Sequence, residues 1–287
     1  MPRNLRRILE LDPEADHGEI LRITAGLDFP WDYVRALEFA LFRTYCVPSI
    51  SRLLSETGEF RRHPQKRYDD TALLMGELLE HGYDSARGRT ALRSVNRMHG
   101  QYAISNDDMR YVLSTFIYDP IAWITAHGWR TLSAHERAAA FHFYRAVGTR
   151  MGIRDLPASY DEYAAFKEAY EEQHFVYSPT NREIGQYTLD LFCSWYPYVP
   201  RSWTARAAVS LLDDRMIAAF GFTPAPAWLG RLARAGLRFR SLIVRALPPR
   251  RRLKLTSAPN RSYPGYPEGY SVDDLGAISS TARFPSN

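Results

Sequence analysis

A histidine and an arginine are the residues of this chain whose types and positions could do chemistry. Leu92, Val95, His99 and Tyr102 recur at helical spacing, so they share one face of a helix expected over residues 86–103. His99 therefore points where apolar side chains point. An interior imidazole must hydrogen-bond or hold a metal, because a buried polar group without a partner costs a few kcal/mol. The residues alone leave both readings open: a core histidine bonded to a neighbour, or a ligand. Arg67 and Thr71 lie in the run Arg67-Tyr68-Asp69-Asp70-Thr71, directly ahead of an amphipathic helix expected over 71–81. An aspartate there suits an N-cap and the positive end of the helix dipole. A guanidinium does not, unless it faces an anion such as a carboxylate or propionate.

Rival chemistries lack their ligands. Paired aspartates on helices can hold magnesium against a diphosphate. Here Asp69-Asp70 is followed by Leu73 and Leu74, and Asp213-Asp214 by Arg215, so the carboxylate count falls short. Asn106-Asp107-Asp108 reads as the cap of a helix on which Tyr111, Ser114, Thr115 and Tyr118 pack along one side. His135 and His142 share a helix face with no third ligand nearby, and the remaining histidines fall at expected helix ends or in loops. The sequence contains no Gly-x-Ser-x-Gly elbow, no Walker loop and no dinucleotide glycine fingerprint.

The elements that must position these residues are helices. Ser133-Ala134-His135-Glu136, Ser159-Tyr160-Asp161-Glu162 and Thr180-Asn181-Arg182-Glu183 each read as a capping box ahead of an apolar-periodic run. Further helices are expected near 17–27, 31–46, 49–57, 107–118, 120–127, 202–220 and 226–247, with prolines between them or at their starts. Period-two segments are absent, which predicts an all-α fold. Residues 1–258 are expected to form one large helical domain. Residues 259–287, rich in Ser, Pro, Gly, Tyr and Asn, are expected to form an extended or disordered tail.

Hydrophobic residues at 45% and charged residues at 24% match a soluble globular chain. The 13% of aromatics suits an apolar cavity and an ordinary core equally well. Two cysteines, Cys46 and Cys193, cannot build a disulfide framework and are expected as buried free thiols. The N-terminus has charge without an apolar region behind it, and no apolar run reaches the length of a membrane span. A cytoplasmic protein is expected, with peripheral membrane association as an option. That option rests on the net charge of +5, which gathers in the C-terminal third between Arg231 and Lys254. Trp228, Leu229, Leu232, Leu237, Leu242 and Ile243 alternate there with arginines. The stretch reads either as a helix resting on a bilayer or as a packed helix with a solvated basic face. No nucleic-acid partner is expected, since the aromatic-interleaved motifs of such modules are missing.

One string of residues resembles a known family. Arg67-Tyr68-Asp69-Asp70-Thr71, Arg97-Met98-His99-Gly100-Gln101-Tyr102, Asn106-Asp107-Asp108 and Tyr111 through Thr115 are similar to the oxygenase MpaB family. The similarity continues through Gly128-Trp129-Arg130, Glu136 with Ala138, Phe143 through Gly148, Met151-Gly152-Ile153 and Leu156-Pro157, spanning roughly residues 30–200. That family includes a fungal oxygenase that cleaves a farnesyl chain and, more distantly, the bacterial latex-clearing rubber oxygenases.

The resemblance implies a helical domain, globin-like in class but distinct from a globin, with haem b between helices. His99 would be the iron ligand, and Arg67, Thr71 and Tyr102 would line the cofactor pocket. It also implies oxidative cleavage of a C=C bond in an apolar, unsaturated small molecule by O2, with Arg67 stabilising developing negative charge. A catalytic glutamate is implied upstream of the arginine, and Glu56 is the candidate, with Glu59 as its neighbour. Two positions depart from the wider family: Asp70 where latex enzymes can carry a lysine, and Leu113 where many bacterial relatives carry a histidine. The alternative function is a haem- or lipid-binding member without turnover.

Overall fold

The computed structural model describes residues 1–255 and 263–276, and these fold into fourteen α-helices with no strand among them. In chain order they are α1 (Arg3–Leu9), α2 (His17–Ile23), α3 (Pro30–Thr44), α4 (Pro48–Thr57), α5 (Glu59–Arg62), α6 (Pro64–His81) and α7 (Ala86–His99). They continue with α8 (Asn106–His127), α9 (Ala134–Arg150), α10 (Tyr160–His174), α11 (Pro179–Ser194), α12 (Arg201–Val209), α13 (Asp214–Phe220) and α14 (Ala227–Ala246). The all-α expectation holds.

Helix ends follow local chemistry, and several lie away from where periodicity put them. Ser133 and Glu136 form a complete reciprocal capping box at α9. Ser159 caps α10, but Glu162 reaches back to the amide of Ala158 rather than to that of Ser159. No box forms at Thr180: Pro179 takes the first helical position, Ser178 is the cap, and Glu183 accepts from Ser55 on α4 instead. The chain expected to break at Pro120 runs through it as one helix, α8. The stretch 202–220 divides at Asp213, whose side chain caps α13.

The helix carrying Arg67 and Thr71 starts seven residues earlier than expected, at Pro64 behind an extended His63. Asp69 and Asp70 therefore sit inside the helix and are 1% exposed, not at its cap. Arg67 is likewise helical rather than ahead of the helix, so the dipole argument against a cation there does not apply.

Two apolar clusters meet along α3. One joins α3, α6, α7, α8 and α9 through Tyr33, Leu73, Leu78, Leu92, Ile117 and Phe143. The other joins α3 and α4 to α11 and α13 through Phe42, Cys46, Ile184, Phe192 and Phe220. Leu41 contacts both. Both cysteines are free and buried. The close approach of α8 to α9 depends on Gly148, where a Cβ would stand 2.4 Å from Leu113. Residues 263–276, expected as part of an extended or disordered tail, run with a single 3-10 turn, Val272–Asp274, and insert Tyr263, Val272 and Leu275 into the first cluster.

Charged clusters tie the layers together. Arg43 of α3 donates to Glu171 of α10 at 2.8 Å and to Asp213 ahead of α13, and approaches Asp119 of α8. Lys167 adds bridges to Asp119 and Glu171 at 3.2 and 2.5 Å. A second cluster centres on Arg130, which pairs with Asp28 and Glu136 while Trp129 donates to the Asp28 carbonyl. Arg43→Ala would leave Asp119 and Glu171 with one shared cation. Since breaking a buried ion pair from one side costs about 3–5 kcal/mol, a fall in Tm of roughly 10 °C is expected by calorimetry; a shift within 2 °C or so would show the cluster to be energetically neutral.

Candidate functional site

At roughly 100° per residue, α6 presents two unlike faces. Lys66, Asp70 and Glu77 share one, and Thr71, Met75 and Leu79 the other. The first faces residues 263–276; the second lines an apolar cavity against Tyr33, Leu37 and Leu41 of α3 and Phe116 of α8. Arg67 lies between the faces. Its guanidinium donates to Thr71 Oγ1 at 3.0 Å, and Thr71 donates in turn to the Arg67 carbonyl at 3.2 Å. Arg67 is half-buried and has no carboxylate partner among the described residues.

His99 is the last residue of α7, and its Nδ1 is buried without a hydrogen-bond partner. Burial and the nearby positive charge of Arg67 pull its pKa down to about 4, so the ring is neutral at physiological pH. The two helices thus bring together a neutral imidazole and an arginine free of any carboxylate. His99 Nδ1 has no partner among the described residues, and Arg67 has a hydroxyl as its partner. Thr71 joins them through Arg67 and reaches the cavity wall.

Of the expected site residues Thr71 lines this cavity, whereas Arg67, His99, Tyr102, Glu56 and Glu59 do not. Tyr102 does not extend the inner face of α7, because the helix ends at His99 and Gly100 turns the chain; Tyr102 is 38% exposed. Glu56 is exposed on α4 and does not line the cavity. Glu59 pairs with Arg62 at 3.0 Å. The carboxylate that does line the cavity is Glu38 of α3, which accepts from Tyr68 and from Arg35, the latter at 2.6 Å. Sequence reasoning passed over Glu38, Tyr33 and Tyr68. The i, i+4, i+8 spacing of Tyr33, Leu37 and Leu41 could have marked the α3 wall, but nothing local pairs it with α6.

Two observations bear on whether haem suits this site. No group of three or more His, Cys, Asp or Glu side chains gathers as a metal site among the described residues, so a metal on His99 would need its other ligands from outside those residues. A macrocycle with carboxylate arms supplies such ligands and gives Arg67 an anion. The neutral, unpartnered His99 and the unpaired Arg67 fit that group.

The family model for the catalytic domain of ER-bound oxygenase mpaB/B'/rubber oxygenase matches residues 33–246. The chain is 32% identical over 216 residues to the ER-bound oxygenase mpaB of Penicillium roqueforti (strain FM164), covering 69% of this chain and 72% of that protein. It is 30% identical to the ER-bound oxygenase mpaB' and 32% identical to the ER-bound oxygenase mpaB of Penicillium brevicompactum, over 79% and 71% of this chain. It spans less than two thirds of those two relatives, 58% and 57% of their lengths.

The depressed pKa of His99 has a consequence for the protein without cofactor. The unfolded chain takes up a proton on this ring near the ordinary value of 6.5, the folded chain only near 4. Falling pH therefore favours unfolding across that window, and the effect levels off below it. His99→Phe is expected to remove roughly 2–3 kcal/mol of this acid-side loss in urea titrations at pH 7 and pH 4. Equal pH dependence of variant and wild type would contradict the buried neutral assignment.

Proposed function

Since the chain belongs to the family of the mpaB/B' and rubber oxygenase catalytic domains, we propose that it is a haem b-dependent oxygenase cleaving a C=C bond in an apolar, isoprenoid-like or fatty substrate with O2. The observation that carries this reading is the half-buried, neutral His99, whose inner nitrogen is buried without a partner, beside the positive charge of Arg67. Haem would supply the activation of dioxygen. Cleavage of one C=C bond by one O2 into two carbonyl groups balances without a further reductant, because the four electrons lost by the two carbons are those gained by the two oxygens.

The chain's own residues have separable roles. His99 would hold the metal through a ring that burial keeps neutral. Arg67, permanently charged and oriented by Thr71, favours negative charge developing close to it. Tyr33, Leu37, Met75 and Phe116 hold an apolar chain against α3 and α6 and exclude water. Tyr68 and Glu38 keep the proton nearest the cavity wall, between Tyr68 Oη and Glu38 Oε1.

The substrate class also suits delivery from a bilayer. Only Leu229 and Gly230 of α14 are buried. Its Trp228, Leu232, Phe239, Leu242 and Ile243 recur at helical spacing and are each 47–66% exposed, with Arg231, Arg234, Arg238 and Arg245 along one flank. Arg240 anchors the opposite side to Asp32 of α3. An outward apolar stripe beside arginines favours the bilayer reading of this helix over a packed one. No helix among the described residues is long and apolar enough to cross a membrane.

Wild type expressed with adequate haem should show a Soret band and stoichiometric haem, both lost in His99→Ala. Arg67→Leu should retain the band and lose about 10²-fold in O2 uptake with an unsaturated lipid. Haem without O2 uptake would leave a haem- or lipid-binding protein without turnover; a colourless wild type that haemin cannot reconstitute would reject the assignment. In flotation assays, wild type should bind vesicles containing anionic lipid in a salt-sensitive manner, and Phe239→Asp with Leu242→Asp should abolish binding. Equal behaviour of the two proteins would remove the bilayer role of α14.

A further inference from the structure

The C-terminal segment 263–276 lies across the seam between α6 and α7, at the end where they carry Arg67 and His99. Its contacts fall on the sequence neighbours of those two residues. Tyr266 Oη donates to Asp70, adjacent to Thr71. Lys66, adjacent to Arg67, donates to Asp70 Oδ2 at 2.9 Å and to the Gly276 carbonyl at 2.7 Å, and its ammonium lies 5.2 Å from the centre of the Tyr266 ring. The Gly265 amide donates to Asp69 at 2.7 Å. Gly276, with φ +120°, packs so closely on Met98 that a Cβ would stand 2.2 Å from its sulfur, and Met98 precedes His99. One glycine therefore binds the start of α6 through its carbonyl and abuts the end of α7 through its Cα. Farther along, Tyr270 donates at 2.7 Å to Glu77, which also receives two bonds of 2.6 Å from Arg87 of α7.

We propose that this segment is a strap that sets the placement of Arg67 against His99, with Tyr266 and Gly276 as its positioning residues. The proposal deepens the haem reading of the site by naming what holds the two sides of the cofactor pocket in register. None of residues 263–276 lines the cavity, so they act on it through the helices they pack against. The acids on the strap side of α6 include Asp69, Asp70, Glu77 and Glu80; basic groups facing them include Lys66, Arg87 and His81. Opening the strap would strip Asp69 of an amide donor and Asp70 and Glu77 of a phenol each, so α6 would shift or admit water to re-satisfy them.

Three full-length variants test this: Tyr266→Phe, Gly276→Ala, and Gly276→Ala combined with Met98→Ala, which reopens the space that the new methyl fills. Two readouts are taken, haemin titration followed at the Soret band and amide hydrogen exchange of the cofactor-free protein. Tyr266→Phe should weaken haemin binding about tenfold, as loss of one hydrogen bond to a charged acceptor predicts, with the same overall Tm within a few degrees. Gly276→Ala should weaken it further, and Met98→Ala should restore part of the loss. Exchange should quicken about tenfold in the last turn of α7 and the first two turns of α6, with α9 and α11 unchanged. Wild-type haemin affinity and wild-type exchange in all three variants would overturn the strap, as would faster exchange spread evenly over every helix. If wild type takes up no haemin, the cofactor assignment falls by itself, and the exchange pattern still decides the strap.

Discussion

Three carboxylates buried along one face of α6 constrain this structure more than any other feature. Asp69, Asp70 and Glu77 are each no more than 1% exposed, and a buried carboxylate without donors would cost several kcal/mol. Donors to them come from the same helix, from α7 and from residues 263–276. The rotation of α6 is therefore dictated by where those donors sit. With Lys66, Asp70 and Glu77 turned to the strap, Thr71, Met75 and Leu79 are turned to α3 and form the cavity wall. The pairing of acids on one side thus orients the chemistry on the other.

The same rule is followed at both ionic centres of the fold. Arg43 answers Glu171, Asp213 and Asp119; Arg130 answers Asp28 and Glu136, and Glu136 also closes the capping box of α9. Against that background Arg67 stands out. It is a half-buried cation whose described partner is a neutral hydroxyl, beside an imidazole whose inner nitrogen is bonded to nothing in the protein. A fold that pairs its buried charges elsewhere leaves these two without a charged partner among the described residues. A planar group bearing carboxylates and a metal answers both needs at once.

Residues that carried the family resemblance divide into two kinds. Gly128-Trp129-Arg130, Glu136 and Gly148 hold the scaffold: Arg130 and Glu136 form an ion-paired node, and Gly148 admits Leu113 between α8 and α9. Thr71 lines the cavity, Arg67 donates to it, and His99 feels the charge of Arg67; these three carry the proposed chemistry. The string is informative because both kinds fall at fixed spacing, and spacing alone does not sort one from the other.

The sequence by itself determined the helical class, the place of His99 on the apolar face of its helix and the basic, apolar-striped character of the last long helix. Each follows from period and side-chain type within a single helix, and helical spacing is a local property. It misjudged the start of α6, because Pro64 at the first helical position outweighed the aspartates read as caps. It extended α7 to Tyr102, because an apolar period does not announce where Gly100 turns the chain. The tertiary structure alone decided that Glu38 rather than Glu56 meets the cavity, that Tyr68 bonds across to α3, and that residues 263–276 return to cover α6 and α7. Those contacts join residues 30 to 210 positions apart. Their partners are chosen by burial and unsatisfied charge in three dimensions, which no local pattern records.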